Sequence, residues 1–516
     1  MRKHLFLAAG IVLLMVSDVT AQTYSMKTKA SSTETMELLE EVKKLFDASV
    51  NFSFTISTYD AERSYEDMNK MESYDANYLA KYQALLKTDT TNALVLNSLG
   101  NYYNFTGQSD LAKFYFNRAI THLSLKHCNN DSAQYYSLRG TLKLNLGLDN
   151  AIEDMERAIY INPDDSISSV FYPLVLINNR DFKKASAYCA RMLDKPGQYP
   201  HIPYVFLLSS DLLSSFFQRA AEAGDDKVRA QYAGTDFNTL FDFSGIDRYA
   251  VRFKDNVQLQ NVRMLADIFA MSAKLLFFTG MDKPNPVFGY TAAEKKRLAE
   301  LEKKLASAEV VASLNPFTRQ RALAFVYFMQ QQNVKAIAAF NEAIRIFPAD
   351  KRNEYFNLAD AYDAITSIHY LSKDSAAERK TLEEKIAVMP LGKKDPNDYY
   401  RMSVHYFNAG DMRGTKSWAD KAKQTDPNHF NTLRLMAHLS YLDANPAVDI
   451  YAQEASKNIR TGDDQYNLVM QFAIYQLITG DATAAYGNIE VGRQSLEGTP
   501  CELCDKLMSK YILINK

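Results

Sequence analysis

Two distant stretches of this chain repeat one spacing of small and aromatic residues. Leu96-x2-Leu99-Gly100-x2-Tyr103 is followed by Ala112-x3-Phe116-x2-Ala119. Leu323-Ala324-x2-Tyr327 is followed by Ala336-x3-Phe340-x2-Ala343 and then by Pro348. The pattern suits a pair of helices packed back to back. Gly100 and Ala324 fall where one helix must approach its partner, and a larger side chain would push the two apart. Ala112 and Ala119 keep one stripe of the second helix slim, while Phe116 between them fills the neighbouring hollow. Only 19 Gly and 14 Pro punctuate 516 residues, about half the usual share, which also argues for helix.

A period of ~34 residues with this order of large, small and aromatic positions resembles the tetratricopeptide repeat. The resemblance implies an all-α chain, an α-α superhelix of the TPR-like solenoid type. Such a solenoid suits a chain too long for one compact core, because each unit touches mainly its neighbours. The in-phase segments give two arrays separated by a divergent helical segment. The expected boundaries are 1–21 for a signal peptide and 22–75 for a polar segment with a lead-in helix. Array 1 covers 76–200, the divergent middle 201–290, and array 2 291–516.

The N-terminus begins Arg2-Lys3-His4, continues with an apolar run from Leu5 to Val16, and reaches Val19-Thr20-Ala21 before Gln22. A basic start, a short apolar core and a small exit residue read as a secretory signal, with cleavage after Ala21. About 12 apolar residues are short for a bilayer span. No later run approaches the ~20 that a span needs, so no transmembrane anchor is expected after cleavage. Exported repeat modules of this kind resemble those of Gram-negative envelopes, which implies a periplasmic protein. With 59 basic and 61 acidic residues and no basic block, the charge footprint of a nucleic-acid binder is missing.

Between the array ends the spacing varies. Leu38, Leu39, Val42 and Leu45 lie at helical spacing near the start of the chain. Tyr78–Leu86 reads as a lone half-repeat able to cap the stack. The unit from Gln134 to Pro163 carries Gly140, Gly147, Ala151, Met155 and Ala158. A third unit from Ser166 has Pro173 inside its first helix, which should kink or shorten it. The stretch Gly234–Asp255 reads as containing a structured loop, and Asp282–Gly289 as a break. Thr291-x-x-Glu294 reads as a capping box that opens one helix, its stripe of Leu298, Leu301, Leu305 and Ala308 running on to an end at Asn315-Pro316. Further pairs follow from Tyr355, from Tyr399 and from Val469.

Catalytic and metal signatures are not found. The eight His residues form no HExxH pair, and no Gly-rich phosphate loop or GxSxG turn occurs. The expectation is therefore no enzyme, no cofactor and no metal. Cys501-Glu502-Leu503-Cys504 lacks a second pair of ligands with metal spacing. It also lacks the strand–helix setting of a redox centre. A local disulfide is the plain reading. Asp131-Ser132 and Asp165-Ser166, near repeat junctions, resemble acceptors of bacterial O-glycans, but Asp-Ser pairs also cap helices.

A repeat solenoid binds through the concave face lined by its first helices. In array 1 that face should carry Asn97, Asn101, Asn104 and Phe105, the Asn side chains being able to hydrogen-bond the backbone of an extended peptide. In array 2 it should carry Arg321, Phe325, Phe328 and Met329, then Tyr400, Val404, Phe407 and Asn408. This second face is apolar and suits an amphipathic helix, either from a partner protein or from another part of this chain. The expected function is an envelope scaffold for protein–protein interaction. The alternative is glycan capture at the outer membrane, by resemblance to the starch-utilisation binding proteins. Against it stand a single Trp, Trp418, and the missing lipid-anchor Cys.

Overall fold

The computed structural model describes residues 33–46, 76–105, 108–195, 201–222, 231–232, 234–278, 290–347, 355–389, 394–496 and 500–514. The expected leader, Gly107, Pro348, Pro390 and the break at 282–289 lie outside these residues. Among the described residues every regular element is a helix and none is a strand. The chain is all-α, as the spacing requires.

The first helix, α1, is Thr33–Lys44; α2 is Ala76–Thr88. Array 1 contains α3 (Ala93–Phe105), α4 (Ser109–His122), α5 (Ser132–Leu146), α6 (Ala151–Ile161), α7 (Ser166–Asn178) and α8 (Phe182–Asp194). The middle holds α9 (His201–Glu222), α10 (Phe237–Leu240), α11 (Ser244–Arg252) and α12 (Val257–Phe278). Then come α13 (Ala292–Leu305), α14 (Ala308–Ser313), α15 (Pro316–Met329), α16 (Asn333–Ile346) and α17 (Tyr355–Leu371). The last group is α18 (Ser375–Val388), α19 (Pro396–Asn408), α20 (Met412–Thr425), α21 (Phe430–Leu442), α22 (Ala447–Lys457), α23 (Gly462–Thr479), α24 (Ala482–Ser495) and α25 (Glu502–Ile514).

Hairpins form where the spacing is regular. Helix α3 packs on α4, α5 on α6, α15 on α16, α19 on α20, α21 on α22 and α23 on α24. Gly100 shows why the small position matters: a Cβ there would stand 2.5 Å from the Phe116 ring. Ala112, Phe116 and Ala119 are buried beneath it, as are Ala324, Ala336, Phe340 and Ala343 in the second regular hairpin. Gly147 ends α5 with a φ of 66°, a conformation that favours glycine. Helix α2 caps the first hairpin, with the Tyr78 hydroxyl donating to the Ser98 carbonyl at 3.3 Å.

Several local expectations meet a different outcome. Helix α7 runs through Pro173 without interruption. Its partner α8 packs more extensively on α9 than on α7. The stretch 234–255 is more helical than its Gly and Asp content suggests, because Asp236 caps α10 and α11 follows directly. The helix after Thr291 does begin with the capping box, but it breaks after Leu305, and the Ser307 side chain caps α14. Asp131 and Asp165 cap α5 and α7 through backbone amides.

The contacts divide the chain into two compact units, residues 50–374 and residues 1–49 with 375–516. The boundary at 374/375 falls between α17 and α18, inside what the spacing reads as one repeat. The unit of residues 50–374 is here termed the central unit, and the other the terminal unit.

Candidate protein-binding groove

In the terminal unit the first helices of three hairpins, α19, α21 and α23, carry large side chains on their inner faces. Tyr400, Val404 and Phe407 come from α19, Arg434, His438 and Tyr441 from α21, and Gln471 and Tyr475 from α23; all are buried. The aromatic groups interlock. The Tyr441 and Tyr475 rings stack at 3.8 Å. The Tyr475 hydroxyl lies 2.6 Å from His438 Nδ1. Burial, and secondarily the Arg434 charge, push the His438 pKa down to about 3, so the ring is neutral at ordinary pH.

The cover over this face comes from the other end of the sequence. Leu38, Val42 and Phe46, spaced by one turn along α1 and its C-terminal turn, are buried in the same apolar cluster. Phe46 meets Phe407 edge to face at 6.0 Å and lies 5.4 Å from the His438 ring. The Tyr400 hydroxyl donates to the Phe46 carbonyl at 3.2 Å. Arg434 Nη2 donates to the Leu45 carbonyl, and its guanidinium stands 4.6 Å over the Phe46 ring. A cation at the C-terminal carbonyls of a helix meets the negative end of the helix dipole. The ring adds a cation–π contact.

The energetics of this docking are mixed. Complete burial of Leu38, Val42 and Phe46 contributes roughly 1.5–3 kcal/mol each. Against that stands Arg434, which is 1 % exposed. Among the described residues no carboxylate lies within ion-pair distance of it. Burial pulls its pKa below the usual range. A charge taken from water and given one carbonyl, the Tyr400 hydroxyl and the Phe46 and Phe430 rings costs free energy. At the rim, Glu41 pairs with Lys506 and Glu37 with Lys510, the latter at 3.3 Å. Burial alone would raise the Glu41 pKa, but hydrogen bonds from Lys506 and Lys44 hold it below the ordinary carboxylate range.

The helix that supplies both lysines, α25, begins at a disulfide between Cys501 and Cys504, whose Cα atoms are 5.2 Å apart. Cys128 and Cys189 are buried free thiols.

The other inward residues read from the sequence have different settings. In the central unit Arg321, Phe325, Phe328 and Met329 are interior, because α12 and α13 pack across α15. Phe325 meets Phe340 of its own hairpin at 5.0 Å, and the Ser272 hydroxyl of α12 contacts the Met329 sulfur at 3.5 Å. In array 1, Asn97 and Asn101 are half-buried and Asn104 is exposed. Among the described residues Asn97 Oδ1 is buried and has no hydrogen-bond partner. Phe105 ends α3, and its side chain is outside the described residues. Asn408 ends α19 and is exposed.

The sequence reading missed Arg434 and α1 as members of one site. The signal was present only as a pair of matched spacings, Glu37/Glu41 and Lys506/Lys510, at opposite ends of the chain. Elsewhere, a polar recess of about 380 Å³ is lined by Asp211, Ser214, Asn238 and Asp242. There burial raises the Asp211 pKa to about 6, although Ser186 donates to it. No cluster of His, Cys, Asp and Glu that could hold a metal occurs among the described residues.

Comparison with known families agrees with the regular hairpins. Residues 93–121 and 133–165 match the tetratricopeptide repeat family. Over those two stretches, which are the hairpins α3–α4 and α5–α6, the chain is similar to that family. No curated protein sequence matches it. Among solved structures, yeast Tom70 is similar at 14% identity with a TM-score of 0.33, over 82% of this chain and 81% of that one. The Cut9–Hcn1 hetero-tetramer gives 12% identity and a TM-score of 0.31, over 93% and 99%. A monomeric IFIT1 mutant with Gppp-AAAA gives 12% and 0.37, over 92% and 100%. Likeness at this level carries no functional argument. Among the described residues no helix is long and apolar enough to cross a membrane.

Proposed function

We propose that this protein is a non-catalytic scaffold of the bacterial envelope that binds a protein partner along the inner faces of its helical repeats. One observation carries the binding part of this reading. The inner face of the terminal unit already accepts an amphipathic helix, α1, through an apolar stripe, two capped carbonyls and two rim ion pairs. Repeat hairpins present such faces by construction, since each first helix turns one side inward. The envelope part rests on the leader-like start of the chain, with its basic residues, apolar core and Val19-Thr20-Ala21 exit.

The test is cross-linking in intact cells followed by affinity capture from the periplasmic fraction. The expected result is a mature chain beginning at Gln22, joined to a defined protein partner. A chain that retains residues 1–21 in the cytosol, or that cross-links to no protein, would overturn the reading.

A further inference from the structure

The helix α1 belongs to the terminal unit by contact but not by chain connection. In sequence it reaches the rest of that unit only through all of residues 50–374. It is therefore held as a ligand is held, by its surface. That surface has a definite chemistry. Leu38, Val42 and Phe46 make an i, i+4, i+8 stripe that ends in an aromatic ring, and Glu37 and Glu41 stand one residue before the first two. The groove answers each feature: an aromatic pocket of Phe407 and His438 for the ring, Arg434 and Tyr400 for the last carbonyls, and Lys506 and Lys510 for the acids.

We propose that this groove is a receptor for an amphipathic helix of another protein, and that α1 is its resident ligand, displaced on binding. The partner helix carries apolar residues at i, i+4 and i+8, the last one aromatic, with acidic residues at i−1 and i+3. This rests on the interaction-scaffold reading above and names the partner chemistry of the same site. Two properties of the resident make exchange feasible. A helix of 12 residues has little stability alone, so its order depends on docking. Its departure also returns Arg434 to water, which a fixed interior element would not do. Tethering gives α1 a high effective concentration, so an incoming helix must either bind more tightly or meet a weakened resident.

The test uses the full chain and a fluorescent peptide with the sequence of residues 33–46, read by anisotropy. In the chain bearing Val42→Asp, at the centre of the α1 stripe, the resident is weakened. That chain should bind the peptide at least ~10-fold more tightly than the unaltered chain. A peptide carrying Phe46→Ala, which lacks the ring that fills the pocket of Phe407 and His438, should lose most of this binding. If Val42→Asp disturbs folding, the rim variant Glu37→Lys/Glu41→Lys weakens the resident without touching the apolar stripe, and the same gain is expected.

A folded, monomeric variant chain that ignores the peptide overturns the proposal. So does a variant that exchanges α1 with a second copy and runs as a dimer, since the occupant is then this chain itself. Either result leaves the scaffold reading to its own cross-linking test, where capture of a partner elsewhere on the repeats would still be seen.

Discussion

The inner sides of α15 and α19 start from the same kind of sequence and are covered in different ways. Phe325, Phe328 and Met329 lie under α12 and α13, which precede α15 closely in the chain. Tyr400, Val404 and Phe407 belong to the face that α1 covers from the far N-terminus. The buried cations record the difference. In the central unit, Lys274 sits 2.9 and 2.8 Å from the two oxygens of Glu294, and both residues are sealed from solvent. Glu294 also accepts from the backbone amides of Phe237 at 2.8 Å and Thr291 at 2.7 Å. Each charge is answered, and α10, α12 and α13 are tied to one point. In the terminal unit Arg434 is given the Leu45 carbonyl, the Tyr400 hydroxyl and two rings, and no carboxylate among the described residues. Lys385 and Arg401, elsewhere in the terminal unit, are also buried and paired, with Asp398 and Glu378, so it is the α1 contact rather than the whole unit that lacks a carboxylate.

The largest effect should come from breaking the satisfied pair. Lys274→Met leaves Glu294 buried and uncompensated, a loss of ~3–5 kcal/mol, seen as a lower melting temperature for the central unit. The double change Lys274→Met/Glu294→Gln, which removes the stranded charge and keeps one acceptor for the Phe237 and Thr291 amides, should recover part of that loss. If Lys274→Met melts like the parent, the central cover is not fixed as described. Phe46→Ala removes a buried ring, a change of ~3–5 kcal/mol. Here the account places the loss in α1 alone: its amides should exchange faster while α19 to α24 keep their protection. Gly100→Leu should cost ~1–3 kcal/mol by overpacking against Phe116, measured by thermal melting of the central unit.

Acid should separate the two units by sign. His438 has a folded pKa of about 3 against 6.5 for the free side chain. The unfolded chain therefore binds the extra proton between those values, and the terminal unit loses stability as pH falls through that window. The loss is on the order of 2 kcal/mol at pH 5. Asp211 works the other way. Its folded pKa of about 6 lies above the ordinary 3.8, so its contribution is fully present below pH 3.8 and is lost as pH rises through 6. His438→Gln should flatten the acid loss in the terminal unit, and Asp211→Asn should remove the opposite slope in the central one. Retention of both slopes in the variants would assign them to other groups. The smallest effect belongs to the rim. Lys510→Ala should cost less than ~1 kcal/mol, and the difference should vanish in high salt.

The regular hairpins were legible in the sequence because their constraint is local. Gly100 against Phe116, Ala336 beside Phe340, and the capping box of Thr291 with Glu294 all lie within a few turns of one another. The coverage of the inner faces was not legible, because it depends on which remote segment completes each surface. Leu38 and Val42 could be read as an apolar stripe. Nothing near them indicated that Arg434 and Phe407 would receive it. The sealed Lys274–Glu294 pair was hidden for the same reason, since each residue alone looks like a charge on a solvated helix. Pro173 and the interruption at Ala306 show the opposite limit, where tertiary packing overrides or breaks a plausible local pattern.

Docking of α1 on the inner face of the terminal unit is read most clearly from hydrogen exchange of its amides. A 12-residue helix has little protection of its own in water, so slow exchange there reports docking rather than intrinsic helicity. Amides 38–46 of the full chain should exchange orders of magnitude more slowly than those of the isolated 33–46 peptide. Val42→Asp, which places a charge in the middle of the buried α1 stripe, should erase most of the difference. Exchange of these amides in the full chain at the rate of the free peptide would contradict the docking.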